Sequence, residues 1–168
     1  MSQKEHILEN RQIRQKMLRI AYQLLENSTE FRNIHLIGIQ GNGFALSGLL
    51  KSLLEEHGQQ EIQLSKLEIN KENPGKHPIL ILDGPKNPSE TLCVLVDDVL
   101  NSGRTMQYAL IPILQLEVAG IKTVALVDRR HRKYPIKCDF VGLSLSTTLQ
   151  ERVEVVIDSN EQISAFLT

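Results

Sequence analysis

Apolar and polar positions along the chain follow two different periods. Ile13, Met17, Ile20, Ala21 and Leu24 recur at spacings of three and four, which places them on one face of a helix, with Arg11, Arg14 and Arg19 on the remainder. The polar run Asn27-Ser28-Thr29 ends that pattern. Ile34-His35-Leu36-Ile37-Gly38-Ile39 then reads as a buried strand. A turn at Gly41-Asn42-Gly43 leads into a second helix through Leu46, Leu49, Leu50 and Leu53. His57-Gly58 closes it, with the glycine suited to a left-handed cap. Ile62 to Ile69 predicts a second strand, although its alternation slips at Lys66-Leu67.

Residues 70–90 differ. Asn73-Pro74-Gly75 and Pro85-Lys86-Asn87-Pro88 are turn signals around a short apolar run, Ile79 to Leu82, so a mobile loop or hairpin excursion is expected. The strand Leu92 to Val96 follows and ends in Asp97-Asp98. After Asn101-Ser102-Gly103 a helix is predicted from about Arg104 to Ala119, kinked by Pro112 and stopped at Gly120. Further strands are predicted over Ile121 to Val127, Asp139 to Leu145 and Arg152 to Ile157. Asp158 and Glu161 have capping-box spacing for a short terminal helix. Apolar strands alternating with helices imply an α/β fold with a mostly parallel central sheet covered on both faces. Ligands in such folds bind beyond the carboxyl ends of the strands.

Composition narrows the class of protein. The 168 residues read as one domain, 41% apolar and 23% charged. A net charge of −1 argues against a strongly basic nucleic-acid binder. Two cysteines, Cys93 and Cys138, are too few for a disulfide framework. With no apolar run long enough for a membrane span and no leader pattern, a cytoplasmic protein is expected. His6, His35, His57, His77 and His131 show no metal-ligand spacing.

The chemistry concentrates in Val94-Leu95-Val96-Asp97-Asp98-Val99-Leu100-Asn101-Ser102-Gly103-Arg104-Thr105. A buried strand carries two adjacent carboxylates to the sheet edge, and a small-residue turn opens a helix. Amides at a helix N-terminus favour an anion. Ser102 and Thr105 add hydroxyl donors, and Gly103 allows close backbone approach. A sugar phosphate needs that pairing, with amides for the phosphate and acids for the hydroxyls.

This stretch resembles the 5-phosphoribosyl 1-pyrophosphate (PRPP) motif of type I phosphoribosyltransferases, in which four apolar residues, two acids and a short spacer precede Thr-Gly-x-Thr; Ser102 stands where threonine is usual. The resemblance implies the type I fold, with a central mostly parallel sheet, flanking helices, a mobile loop and a small hood. It implies that Asp97 and Asp98 bind the ribose hydroxyls in catalysis, and that Asn101, Ser102, Gly103, Arg104 and Thr105 hold the 5-phosphate. Val127-Asp128-Arg129-Arg130-His131-Arg132-Lys133-Tyr134-Pro135-Ile136, followed by Asp139-Phe140-Val141-Gly142, is similar to the pyrimidine operon attenuator/uracil phosphoribosyltransferase subfamily. That similarity places Val127, Asp128 and Arg129 at the base pocket and favours uracil as acceptor. Mg2+, held mainly through PRPP, and a homodimer or larger homo-oligomer are implied by the family alone.

The family's pyrophosphate loop falls on Gln40, Gly41, Asn42 and Gly43, which lack the subfamily's arginine. Its mobile loop falls within residues 69–90, where only Lys71, Lys76 and Lys86 carry positive charge. The leaving-group half of the site is therefore the weaker half. Lys137, shortly before Asp-Phe-Val-Gly, matches the purine-salvage branch, but that branch has an aspartate base where this chain has Asn101. A nucleotide-sensing RNA-binding regulator is the non-enzymatic alternative, with Arg11, Arg14, Lys16 and Arg19, or Arg129 to Lys133, as phosphate contacts. A dinucleotide fold is disfavoured because its third glycine would fall at Leu46. A P-loop is excluded because no Gly-x-x-x-x-Gly-Lys-Ser/Thr run exists.

Overall fold

A computed structural model describes residues 4–168. Six strands form the central sheet in the order β4-β3-β2-β5-β6-β7. They are β2 (Asn33–Ile39), β3 (Glu61–Glu68), β4 (Leu80–Ile81), β5 (Thr91–Leu100), β6 (Gly120–Asp128) and β7 (Phe140–Ser144). Strands β2, β3, β5, β6 and β7 run parallel, and β4 pairs antiparallel with β3 through Leu67–Ile81 and Glu68–Leu80. The excursion over residues 70–90 is thus partly a hairpin on the sheet edge.

Side chains alternate across a strand, so a strand buried on both faces supplies two cores. In β5, Leu92, Val94 and Val96 pack with α1 (Asn10–Glu26) and α2 (Asn42–His57). Cys93 and Leu95 pack on the opposite face with Met106, Ala109 and Ile113 of α3 (Arg104–Leu114). All five apolar residues assigned to the buried face of α1 are buried. No helix among the described residues is long and apolar enough to cross a membrane. Both cysteines are free and buried.

A second, three-stranded antiparallel sheet of order β1-β9-β8 forms the hood, from β1 (Glu5–Leu8), β8 (Val153–Ile157) and β9 (Ile163–Leu167). Here the structure corrects the expectation of a terminal helix. Asp158 Oδ1 accepts hydrogen bonds from the N–H groups of Asn160 and Gln162, at 2.8 and 2.9 Å. Glu161 adopts a left-handed conformation (φ 59°). Asp158 therefore organises a hairpin turn, and Ile163 and Ala165 bury themselves at strand spacing.

Three boundaries also differ from the sequence reading. Strand β5 continues through both aspartates to Leu100, because Val99 and Leu100 pair with Val127 and Asp128 of β6. Helix α3 ends at Leu114, five residues before Ala119, and the chain leaves through a left-handed Glu117 (φ 53°). Pro112 lies in its last turn, where it offers no N–H to the carbonyl four residues back. Gly58 is extended (φ −118°, ψ −179°) instead of left-handed. A Cβ there would come within 2.5 Å of Leu25 Cδ2 and 2.9 Å of the Leu54 carbonyl, so glycine serves close packing.

Candidate active site

The carboxyl ends of β2, β3 and β5 meet the N-termini of α2 and α3. Asp97 is buried, and Asp98 is partly exposed beside it. The Asp98 N–H donates to Asp97 Oδ1 at 2.9 Å, and the Val99 N–H donates to Asp98 Oδ1 at 2.8 Å. Burial and the neighbouring Asp98 charge push the Asp97 carboxyl up to about 8, against the opposing pull of Lys71 and the Asp98 amide. Lys71 Nζ stands 3.7 Å from Asp97 Oδ1.

Gly103, left-handed at φ 85°, precedes the first residue of α3. A Cβ on it would lie 2.4 Å from Ile136 Cγ2, so both conformation and space require glycine. The Ser102 carbonyl accepts the N–H groups of Lys133 and Tyr134 at 2.9 and 3.0 Å, which anchors the turn from the far side. Ser102 Oγ accepts the Arg104 N–H at 3.3 Å. The amides of Thr105 and Met106 lie in the first turn of α3, where no intrahelical carbonyl reaches them. A polar cavity of about 180 Å³ collects Asp97, Asp98, the turn Asn101–Thr105, Lys71 and Val153 of the hood.

The turn Gln40–Gly43 reaches the same region through α2. Gly41 is left-handed (φ 88°) at its N-cap. A Cβ on Gly43 would stand 2.8 Å from the Val96 carbonyl and 3.1 Å from Asp97 Cα, so α2 begins directly against the acidic strand end. Asn42 Nδ2 donates to Asp98 Oδ2 (3.0 Å) and to the Val155 carbonyl of β8 (2.8 Å), tying the hood to the carboxylate pair. Gln40 Nε2 donates to the Ile69 carbonyl at 2.9 Å.

Val127 and Asp128 end β6 beside this cavity and Arg129 follows them, but all three spend their side chains internally. Val127 is in the core on the α1/α2 side. Asp128 accepts the Arg130 N–H at 2.8 Å and pairs with Arg132 at 2.6 Å. Burial raises its pKa, and these donors outweigh burial and leave it lowered. Arg129 is 8% exposed. Its guanidinium donates to Asn101 Oδ1 (2.9 Å), Thr147 Oγ1 (3.2 Å) and the Thr148 and Glu151 carbonyls. It therefore fastens the 147–151 loop to the first residue of the Asn101–Thr105 turn. Nothing in sequence spacing signals that link, nor the Asn42–Val155 bond across 113 positions.

This arrangement, an acid pair on β5 with an open helix N-terminus beyond it, coincides with a family match. Residues 3–159 match the phosphoribosyl transferase domain. The chain belongs to the phosphoribosyltransferase family. Among curated relatives, the bifunctional protein PyrR of Bacillus cereus is 30% identical over 171 residues, covering 96% of this chain and 95% of the relative. The Bacillus anthracis protein of the same name is equally similar. Among solved structures, a hypoxanthine-guanine phosphoribosyltransferase of Bacillus anthracis superposes with a TM-score of 0.71 at 16% identity, covering 98% of this chain and 99% of that one. The hypoxanthine phosphoribosyltransferase of Trypanosoma cruzi gives a TM-score of 0.71 at 17% identity, covering 96% and 95%. These two likenesses establish the type I phosphoribosyltransferase fold and carry no information about the base.

Proposed function

We propose that this protein transfers the 5-phosphoribosyl group of PRPP to a nucleobase, with uracil the favoured acceptor, giving the nucleoside monophosphate and pyrophosphate. The observation that carries the reading is the polar cavity lined both by Asp97 and Asp98 and by the Asn101–Thr105 turn. A ribose 5-phosphate carries two hydroxyls and one dianion, the groups that an acid pair and a set of free amides lining one cavity can hold. Asp97 and Asp98 accept hydrogen bonds from the 2′- and 3′-hydroxyls. The 5-phosphate sits on the amides of residues 102–105 and the Ser102 and Thr105 hydroxyls. The amides of Gly41, Asn42 and Gly43 face the pyrophosphate, and Val127, Asp128 and Arg129 shape the base end through the 147–151 loop.

In the reaction the C1–O bond to pyrophosphate breaks and its electron pair leaves on the pyrophosphate oxygen. The base nitrogen forms the new C1–N bond, and the proton it carried passes to water. Negative charge builds on the leaving group and positive charge on the ribose ring, so Asp97 and Asp98 hold the ring through its hydroxyls while the two helix N-termini hold the phosphates.

The residues present fit Mg2+. The described residues contain no group of three acidic, histidine or cysteine side chains able to hold a metal by themselves. Two adjacent carboxylates, one with its pKa pushed up by burial and then by its neighbour, suit a cation held chiefly by substrate oxygens and water. When bound, it would neutralise pyrophosphate charge.

Asn101 supports uracil over purines. Its side-chain oxygen is occupied by Arg129, and an amide cannot take a proton at neutral pH. A second reading, a nucleotide-sensing RNA-binding regulator, draws on the arginine-free Gln40–Gly43 turn and on exposed Arg11 and Arg14 of α1. Pyrophosphate release from PRPP and Mg2+, measured with uracil, hypoxanthine, guanine or no base, separates these readings. Uracil-dependent release is expected. Release only with purines refutes the choice of base. No release from protein that binds PRPP and UMP, together with RNA affinity that falls steeply with salt, moves the function to the regulator.

A further inference from the structure

We propose that the Asn42 side chain serves the ribose end of the site and not the leaving group: one N–H of its amide aims Asp98, and the other ties hood strand β8 over the same cavity. This rests on the phosphoribosyl-transfer reading and names a positioning residue within it.

Place in the chain points the other way, because Asn42 stands in the Gln40–Gly43 turn whose backbone amides face the pyrophosphate in that reading. The folded chain turns its side chain aside. Asn42 is the first residue of α2, and the turn before it passes through the left-handed Gly41 (φ 88°). Gly43 leaves no room for a methyl against the backbone of Val96 and Asp97, so the start of α2 is fixed on the acidic strand end. From there the half-buried Asn42 amide reaches Asp98 Oδ2 at 3.0 Å and the Val155 carbonyl at 2.8 Å. A primary amide has two N–H donors, and these two bonds use both.

The first bond orients a carboxylate. Asp98 Oδ1 accepts the Val99 N–H at 2.8 Å, and Oδ2 accepts Asn42. One donor on each oxygen fixes the plane of the carboxylate, and each oxygen keeps a second lone pair for a ribose hydroxyl. Asp97 is buried in place, whereas Asp98 is partly exposed and depends on its donors for its aim.

The second bond places the hood. Strand β8 is an outer strand of its sheet, so one row of its carbonyls faces away from β9. Asn42 takes the carbonyl of Val155, and Arg129 takes that of Glu151. Val153 lies midway between these two clamps and lines the cavity shared by Asp97, Asp98 and the Asn101–Thr105 turn. Of the two clamps, Asn42 is the one that also holds an acid, so its loss frees Asp98 and β8 together.

The test compares Asn42→Ala and Asn42→Asp with wild type. Binding of ribose 5-phosphate, UMP and pyrophosphate with Mg2+ is measured separately by titration calorimetry. Hydrogen exchange is followed at the amides of residues 153–157. Both variants keep the backbone N–H; alanine suits a helix, and aspartate keeps the shape while losing both donors, so either carries the test if the other fails to fold. Asn42→Ala is expected to weaken ribose 5-phosphate and UMP by on the order of tenfold, the lower end for one hydrogen bond to a charged group. Pyrophosphate should bind within about twofold of wild type, because no contact with it is lost. Asn42→Asp should lose more ribose 5-phosphate affinity than Asn42→Ala, since it sets a second charge beside Asp98. Exchange within residues 153–157 should quicken in both variants while β2 stays protected. Weakened pyrophosphate binding with ribose 5-phosphate unchanged overturns the proposal and returns Asn42 to the leaving group. Equal loss of all three ligands also overturns it, because the side chain would then only support the start of α2. Unchanged binding of all three overturns it and leaves the site reading standing. A wild-type protein that binds neither PRPP nor UMP overturns the site reading and this inference together.

Discussion

Replacing Asp97 by asparagine should make the fold more stable at alkaline pH while removing PRPP binding. Asp97 is buried near the carboxyl end of β5, with Asp98 beside it and the half-exposed ammonium of Lys71 as a cationic neighbour. Burial and Asp98 push its pKa from 3.8 to about 8. The unfolded carboxyl loses its proton near its ordinary value. Between those two pH values the native state holds a proton that the unfolded chain does not, so native stability falls as pH rises. The contribution is fully present below about pH 4 and lost by about pH 8. Each unit of elevation corresponds to about 1.4 kcal/mol, so the rise from 3.8 to about 8 sets a ceiling of about 6 kcal/mol for the alkaline cost. The asparagine keeps the shape and an acceptor for the Asp98 N–H and cannot ionise. Allowing for water in the cavity and for the partial counterion, we expect Asp97→Asn to gain about 2–3 kcal/mol over wild type at pH 9 and less than about 1 kcal/mol at pH 5. The assay is urea denaturation of both proteins across pH 5–9. His35, buried against Ser65 with Nε2 2.6 Å from Oγ, has its pKa lowered to about 4 by burial. It destabilises on acidification below about 6.5, but identically in both proteins, so the difference isolates Asp97. A difference that is flat with pH, or a variant less stable than wild type at pH 9, refutes the account of a buried carboxylate held against its charge.

Gly43→Ala should cost about 1–3 kcal/mol and weaken PRPP binding in calorimetry, because the new methyl meets the backbone of Val96 and Asp97, which cannot yield. Arg129→Met should cost about 2–3 kcal/mol, since it removes charged hydrogen bonds to the 147–151 loop and Asn101; limited proteolysis should then cut within residues 147–151 first. Cys93 and Cys138, whose thiols burial pushes up to about 12, should not react with a thiol reagent at pH 8 until the protein unfolds. Prompt labelling of either cysteine in the native protein refutes its burial.

Local pattern determined much of this molecule. The five-residue apolar stripe of α1, the continuous apolar run of β2 and the uninterrupted core of β5 were legible because burial on one or two faces dictates which positions are apolar. The gathering of residues 97–105 around one cavity was legible for a related reason: the acids, the small turn and the helix start are neighbours in sequence, so their juxtaposition is local. What depended on chain segments far apart was not legible. Asp158 and Glu161 carry the spacing of a helix cap, yet the chain forms β9, because β1 and β8 offer it two strand edges that no local signal announces. Gly58 resembles a left-handed cap and is instead required by the close approach of the Leu54 carbonyl, with the Leu25 side chain packed beside it. Arg129 stands in a motif that suggests a base contact, and tertiary structure spends its guanidinium on a loop some twenty residues onward. Lys71 was one of three equivalent lysines until the fold set it against Asp97. Sequence by itself determined the parallel sheet and the acid-and-turn cradle, whose partners are a few residues apart. Tertiary structure decided which charged side chains remain free at that cradle, because pairing among distant segments depends on where the folded backbone brings them.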